Sequence, residues 1–128
     1  MSLVTPLNRV LGLGSAKGGV EHWWVQRVSA AALVLLGLWL ACSLAALDGF
    51  AHATVVDWIR EPATSVLLIL TSLTLAYHSW LGIQVVIEDY VHGGAAKITL
   101  LTLSTFAHVA IGIVALFSIL RISFGAVS

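Results

Sequence analysis

Three long apolar runs separated by short polar ones set the layout of this chain. The first covers Val28 to Leu47, twenty residues without a charge between Arg27 and Asp48. The second opens at Pro62 and carries no charge until Glu88. The third covers Ile98 to Leu120, bounded by Lys97 and Arg121. A ~30 Å hydrocarbon layer is crossed by about 20 helical residues. The pattern therefore predicts an all-α membrane protein: one domain over residues 1–128, with transmembrane helices over about 28–47, 62–87 and 98–120.

The punctuation agrees. Pro62 suits the first turn of a helix, where its missing N–H leaves no bond unmade. The segment from Asp48 to Glu61, with Asp48, His52, Asp57, Trp58, Arg60 and Glu61, reads as a polar loop, and VHGGAAK (91–97) as a short turn. In HWWVQR (22–27), Trp23 and Trp24 read as an interfacial anchor and Arg27 as the boundary charge. Ser29, Gly37 and Ser43 suit close packing of the first span on another helix. At 100° per residue, Thr71, His78, Gly82 and Asp89 fall within roughly 20° of one line on the second span. Such a stripe serves either a helix–helix contact or a ligand.

Composition narrows the class. Of 128 residues, 59% are hydrophobic and 9% charged, with a mean hydropathy of +1.02. Soluble domains carry about 25% charged residues, so a soluble fold is excluded. The zero net charge gives no nucleic-acid footprint, and one cysteine, Cys42, provides neither a disulfide framework nor a thiolate cluster. The opening residues lack the features of a secretory or organellar leader. They are expected to form a short arm on the membrane surface or a partner, in a bacterial inner (plasma) membrane. Arg9, Lys17, Arg27 and Lys97 outnumber Arg60 and Arg121, which predicts a cytoplasmic amino terminus and an outer carboxyl terminus.

Two histidines, His78 and His108, lie inside spans, each roughly 15 Å from the cytoplasmic end of its helix at 1.5 Å per residue. An imidazole in lipid is costly without a partner and marks a functional position by default. Haem ligation is one reading, with both ligands from this chain or one from a second subunit. Proton relay and simple hydrogen bonding are the others. His22 and Arg27 are apt donors for haem propionates near the water boundary. Glu88, Asp89 and Tyr90 close the second run. A boundary tyrosine can donate to a quinone carbonyl beside a carboxylate that passes protons, or can simply belong to the aromatic belt.

HWWVQRVSA (22–30) ahead of one apolar helix and HSWLGIQVVIEDY (78–90) at the end of the next resemble the hydrophobic membrane-anchor family of succinate dehydrogenase, the second of that enzyme's two kinds of anchor chain. The similarity runs over about residues 20 to 120, and its most specific part is a histidine followed by W-x-G and, twelve residues after the histidine, the tyrosine of D-Y. The resemblance implies that His78 is an axial ligand of haem b, the other coming from a second anchor chain, the cytochrome b subunit. It implies that Tyr90 hydrogen-bonds ubiquinone beside Asp89, and that His22 and Arg27 lie near the haem propionates. It also implies a flavoprotein and an iron–sulfur subunit as partners, passing electrons from succinate to the quinone in the tricarboxylic acid cycle and respiratory chain. The dehydrogenase chemistry would lie in those subunits, since no flavin motif, cysteine cluster or arginine-rich pocket occurs here. His108 has no part in that pattern. The rival readings are an anchor of fumarate reductase or another b-type cytochrome, a small proton or solute transport subunit using both histidines, and a purely structural assembly protein.

Overall fold

The computed structural model describes residues 19–125, and the amino-terminal arm expected from the sequence lies outside them. The described residues form four helices: α1 (Gly19–Ala45), α2 (His52–Arg60), α3 (Pro62–Tyr90) and α4 (Gly94–Ser123). Helices α1, α3 and α4 are each long and apolar enough to cross a membrane. All three are longer than the charge-free runs. Absence of charge marks the hydrocarbon layer, whereas a helix continues through the headgroup region; Glu21, Trp23, Trp24 and Arg27 therefore ride on α1 itself.

The expected polar loop between the first two spans contains α2. Its charges hide an amphipathic pattern: Val55, Val56, Trp58 and Ile59 are half-buried, while Asp57 and Arg60 stay exposed and pair at 3.7 Å. Trp58 stacks on Trp39 of α1, with ring centroids 6.3 Å apart and planes inclined by 16°. Arg60 Nε donates to the Ile122 carbonyl at 3.4 Å. The buried Ser65 donates to the Ile59 carbonyl and lies 2.9 Å from Ser123 Oγ. Together these contacts hold the short helix against the start of α3 and the end of α4. The chain leaves α1 through Gly49, whose φ of 144° is open to glycine and avoided by residues with a Cβ.

At the opposite end the connection is tight. Helix α3, which Pro62 opens beside α2, is closed here by Val91 N–H donating to Ile87 O. Lys97 Nζ then donates to the Glu88 carbonyl at 2.8 Å, a cation meeting the carbonyl end of a helix dipole. Helix α3 is the middle member: α1 and α4 pack on it and not on each other. The interior is accordingly slight. Leu81 and Ile87, both on α3, are the buried hydrophobic residues among those described, and only 6% of an apolar 18-residue stretch of each span is buried within the chain.

Candidate functional site

The α1 face turned to α3 is set by helical spacing. His22 and Ser29 are seven residues apart, about two turns, and Gln26 lies between them on the same side. Opposite them α3 presents His78 and Gly82. Ser29 is buried, and its Oγ lies 2.9 Å from His78 Nδ1 and donates to the Gln26 carbonyl at 3.1 Å. One turn on, a Cβ at Gly82 would stand 3.7 Å from Gln26 Nε2, an ordinary contact. The polar stripe of α3 is thus a helix–helix contact at its centre. Thr71 turns its hydroxyl back to the Leu67 carbonyl at 2.7 Å, and Asp89 is exposed at the far end.

That contact does not use all of the imidazole. Among the described residues His78 makes no hydrogen bond through Nε2; the ring is half-buried, and this nitrogen is not among the sealed, unpartnered atoms of the bundle. Two atoms of α1 are sealed in that way: His22 Nε2 and Gln26 Oε1. His22 borders a cavity of about 280 Å³ between α1 and α3, together with Glu21, Trp80 and Gln84. A buried polar atom left without a partner costs about 1–3 kcal/mol, so this part of α1 is incomplete in the isolated chain. Arg27 is elsewhere. Five residues turn a helix by about 140° beyond a full circle, so Arg27 leaves the face that holds His22. It lies exposed over the Trp23 ring, 5.4 Å from its centroid.

His108 contrasts with His78. Its Nδ1 donates to the Ser104 carbonyl at 2.7 Å, which leaves Nε2 to accept from Ser79 Oγ at 3.2 Å. Both nitrogens are satisfied inside the chain. The residue lines an apolar groove of about 370 Å³ between α3 and α4, with Leu73, Tyr77, Trp80 and Gly112. Trp80 spans the same pair of helices, donating to Thr105 Oγ at 3.1 Å. The two histidines are therefore tied to different helices, with no hydrogen bond joining them among the described residues.

Tyr90 ends α3 with 78% of its surface exposed. Neither it nor the neighbouring exposed Asp89 makes a hydrogen bond or ion pair among the described residues. Glu88 is occupied, accepting from Gln84 Nε2 at 2.9 Å. Sequence reasoning missed Ser29, Gln26 and Ser79 as partners of the histidine sites. The repeat of His22 and Ser29 at seven residues was a usable signal for the first two; Ser79 follows His78 directly and carried none.

These features define a multi-pass helical membrane protein in which one intramembrane histidine is fully used by the fold and another is only half used. Residues 1–120 match the family model described as succinate dehydrogenase/fumarate reductase transmembrane subunit, and the chain belongs to that family as a membrane anchor subunit. It is 38% identical over 89 residues to a succinate dehydrogenase hydrophobic membrane anchor subunit of Rickettsia bellii, covering 69% of this chain and 70% of the relative. It is 28% identical over 127 residues to the protein of the same name in Paracoccus denitrificans, covering 99% and 98%. A succinate dehydrogenase membrane anchor subunit of Reclinomonas americana is 35% identical over 85 residues, covering 64% and 71%. No solved structure matches significantly.

Proposed function

We propose that this chain is one of two anchor chains of a succinate:ubiquinone oxidoreductase in a bacterial inner membrane. In this reading His78 supplies one axial ligand of a haem b through Nε2, and the second anchor chain supplies the other. Tyr90 and Asp89 form part of the ubiquinone site. A flavoprotein oxidises succinate and an iron–sulfur subunit relays the electrons, so the dehydrogenase chemistry lies outside this chain. The family description covers fumarate reductase as well, and an anchor of that enzyme would use the same residues.

The observation that carries the reading is the free Nε2 of a half-buried intramembrane imidazole whose other nitrogen is already held. A haem bound there supplies a one-electron site within the membrane. The surrounding residues fit such a group. His22 Nε2 is a sealed polar atom with no partner of its own, and Arg27 is a fixed cation at the same end of α1. We assign both to the propionates. At the water boundary Tyr90 offers its hydroxyl to a quinone carbonyl. Asp89 stands beside it to hand on a proton, since full reduction of a quinone takes up two protons with two electrons. Because Tyr90 is so exposed, other chains must complete the pocket around it.

The test is a dithionite-reduced minus oxidised visible spectrum of the purified complex, wild type beside His78→Ala. The expected result is a b-type haem signal in the wild type that is lost or altered in the variant. A wild-type complex without haem, or a signal indifferent to the substitution, would overturn the ligand assignment.

A further inference from the structure

We infer that Ser29 is the positioning residue of His78: it fixes the imidazole in the Nδ1–H tautomer, aims Nε2 away from α1, and raises its strength as a ligand. This deepens the proposed axial role of His78 and rests on it.

Ser29 Oγ has two close polar neighbours, the Gln26 carbonyl at 3.1 Å and His78 Nδ1 at 2.9 Å. A carbonyl oxygen only accepts, and a serine hydroxyl has a single hydrogen with two lone pairs. If Ser29 gave that hydrogen to His78, its oxygen would face the Gln26 carbonyl with no proton between them. If His78 Nδ1 carries the proton, both contacts become hydrogen bonds: Nδ1–H donates to Oγ, and Oγ–H donates to the carbonyl. Ser29 is only 7% exposed, so water does not relax this requirement. The hydroxyl is anchored by its own helix and can do nothing but accept from the ring. The proton therefore sits on Nδ1, and Nε2 is left with its lone pair.

The consequence is chemical as well as geometric. Which ring nitrogen binds a metal is set by the hydrogen bond made by the other. An Nδ1–H that donates to an oxygen lends the ring partial imidazolate character and raises its basicity toward a metal. That favours ferric over ferrous iron and lowers a haem potential. His108 shows the same tautomer by a different device, with Nδ1 donating to the Ser104 carbonyl at 2.7 Å, but there Ser79 consumes Nε2. No such hydroxyl stands at Nε2 of His78 among the described residues. The pairing with Ser29 thus distinguishes a ring prepared for an outside ligand from one closed on itself.

The experiment is a redox titration of haem in the assembled complex for wild type, Ser29→Ala, Ser29→Cys, Ser29→Thr and His78→Ala, with haem content measured on the same samples. Ser29→Ala is expected to raise the midpoint potential. A tenfold change in ferric-over-ferrous preference corresponds to about 59 mV for a one-electron couple. Haem affinity is expected to fall about 10- to 100-fold, as for other outer partners of a ligating histidine. Ser29→Thr keeps the hydroxyl and is expected to titrate with the wild type. Ser29→Cys nearly keeps the volume but accepts poorly, and is expected to shift in the same direction as Ser29→Ala; it carries the test if the alanine variant fails to assemble. Ser29→Ala and Ser29→Cys at the wild-type potential would overturn the inference. An equal shift in all three Ser29 variants would also do so, because packing alone would then account for it. Loss of haem in His78→Ala with no shift in the Ser29 variants would leave the axial assignment standing and remove only this role. A haem signal untouched by His78→Ala would remove both.

Discussion

His108 donates from Nδ1 to the Ser104 carbonyl and accepts at Nε2 from Ser79, so its ring joins α4 to α3 with no nitrogen to spare. Interhelical hydrogen bonds within membranes contribute about 0.6 kcal/mol on average and at most about 1.7. His108→Ala should therefore lower the stability of the complex by on the order of 1 kcal/mol, read as an earlier thermal transition in detergent, while its reduced-minus-oxidised spectrum stays that of the wild type. Loss of the spectrum with stability intact would reverse the assignments of the two histidines. Tyr90 invites a different separation. Its exposed hydroxyl makes no bond in the described chain, so Tyr90→Phe should assemble normally. It should cut succinate-driven quinone reduction by about 10- to 100-fold, equivalent to about 1.4–2.8 kcal/mol of lost stabilisation, and leave succinate oxidation by an artificial acceptor unchanged. Equal loss of both activities would mean that Tyr90 supports assembly. Sequence position made the two histidines look alike, at matching depth on neighbouring spans. What separates them is the identity of the residues facing each ring, and the sequence does not state that register.

Helix α3 carries the architecture because both other spans lean on it, and the closeness of each approach is visible at a glycine. On the α1 side, Gly82 would bring a Cβ to 3.7 Å from Gln26 Nε2; on the α4 side, Gly112 would bring one to 3.7 Å from Leu73 Cδ2. Both distances leave room for a methyl group, and a larger side chain would have to displace the neighbour it meets. Gly82→Ala should therefore preserve the complex, with a gain of up to about 1 kcal/mol from helix propensity. Gly82→Leu should drive α1 away from α3 and break the Ser29–His78 contact. The check is haem content per complex: unchanged in the alanine variant, reduced in the leucine variant. Full haem content in Gly82→Leu would show that α1 moves without consequence for His78. The three spans were legible because about 20 uncharged residues in a row have few other uses, and the stripe through His78 and Gly82 was legible because helical periodicity is rigid. Helix α2 was not, since nine residues with Asp57 and Arg60 among them read as polar until Val55, Val56, Trp58 and Ile59 are seen to share a half-buried side. The role of Ser29 was hidden for a related reason: a serine in an apolar span reads as a small packing residue, and only the partner opposite reveals the hydroxyl in use.

Taken whole, the chain has outer surface in place of a core. Only 6% of an apolar 18-residue stretch of each span is buried within it, and many Leu, Ile, Val and Phe side chains face outward. That surface suits lipid tails and neighbouring subunits, and leaves charge at the two ends to fix which way the bundle sits. Lys97 stands in the first turn of α4, and Arg27 is near the start of α1, at the same end of the bundle as Tyr90; Arg60 and Arg121 mark the other end. With Arg9 and Lys17 added, the basic residues favour the Tyr90 end as cytoplasmic. Labelling with an impermeant maleimide decides this directly. Cys42, which faces outward from α1, is first replaced by alanine. In that background Ala51→Cys and His92→Cys place one thiol at each end, both at exposed positions. In spheroplasts the reagent should reach Ala51→Cys and spare His92→Cys; in inverted membranes the order should reverse. The expected pattern puts Tyr90, Asp89 and the unpartnered His22 on the cytoplasmic side, where the proposed iron–sulfur partner would reach the proposed quinone site. The opposite pattern would leave that end facing outward, beyond the reach of a cytoplasmic electron donor, and the proposed quinone role of Tyr90 would fall with it.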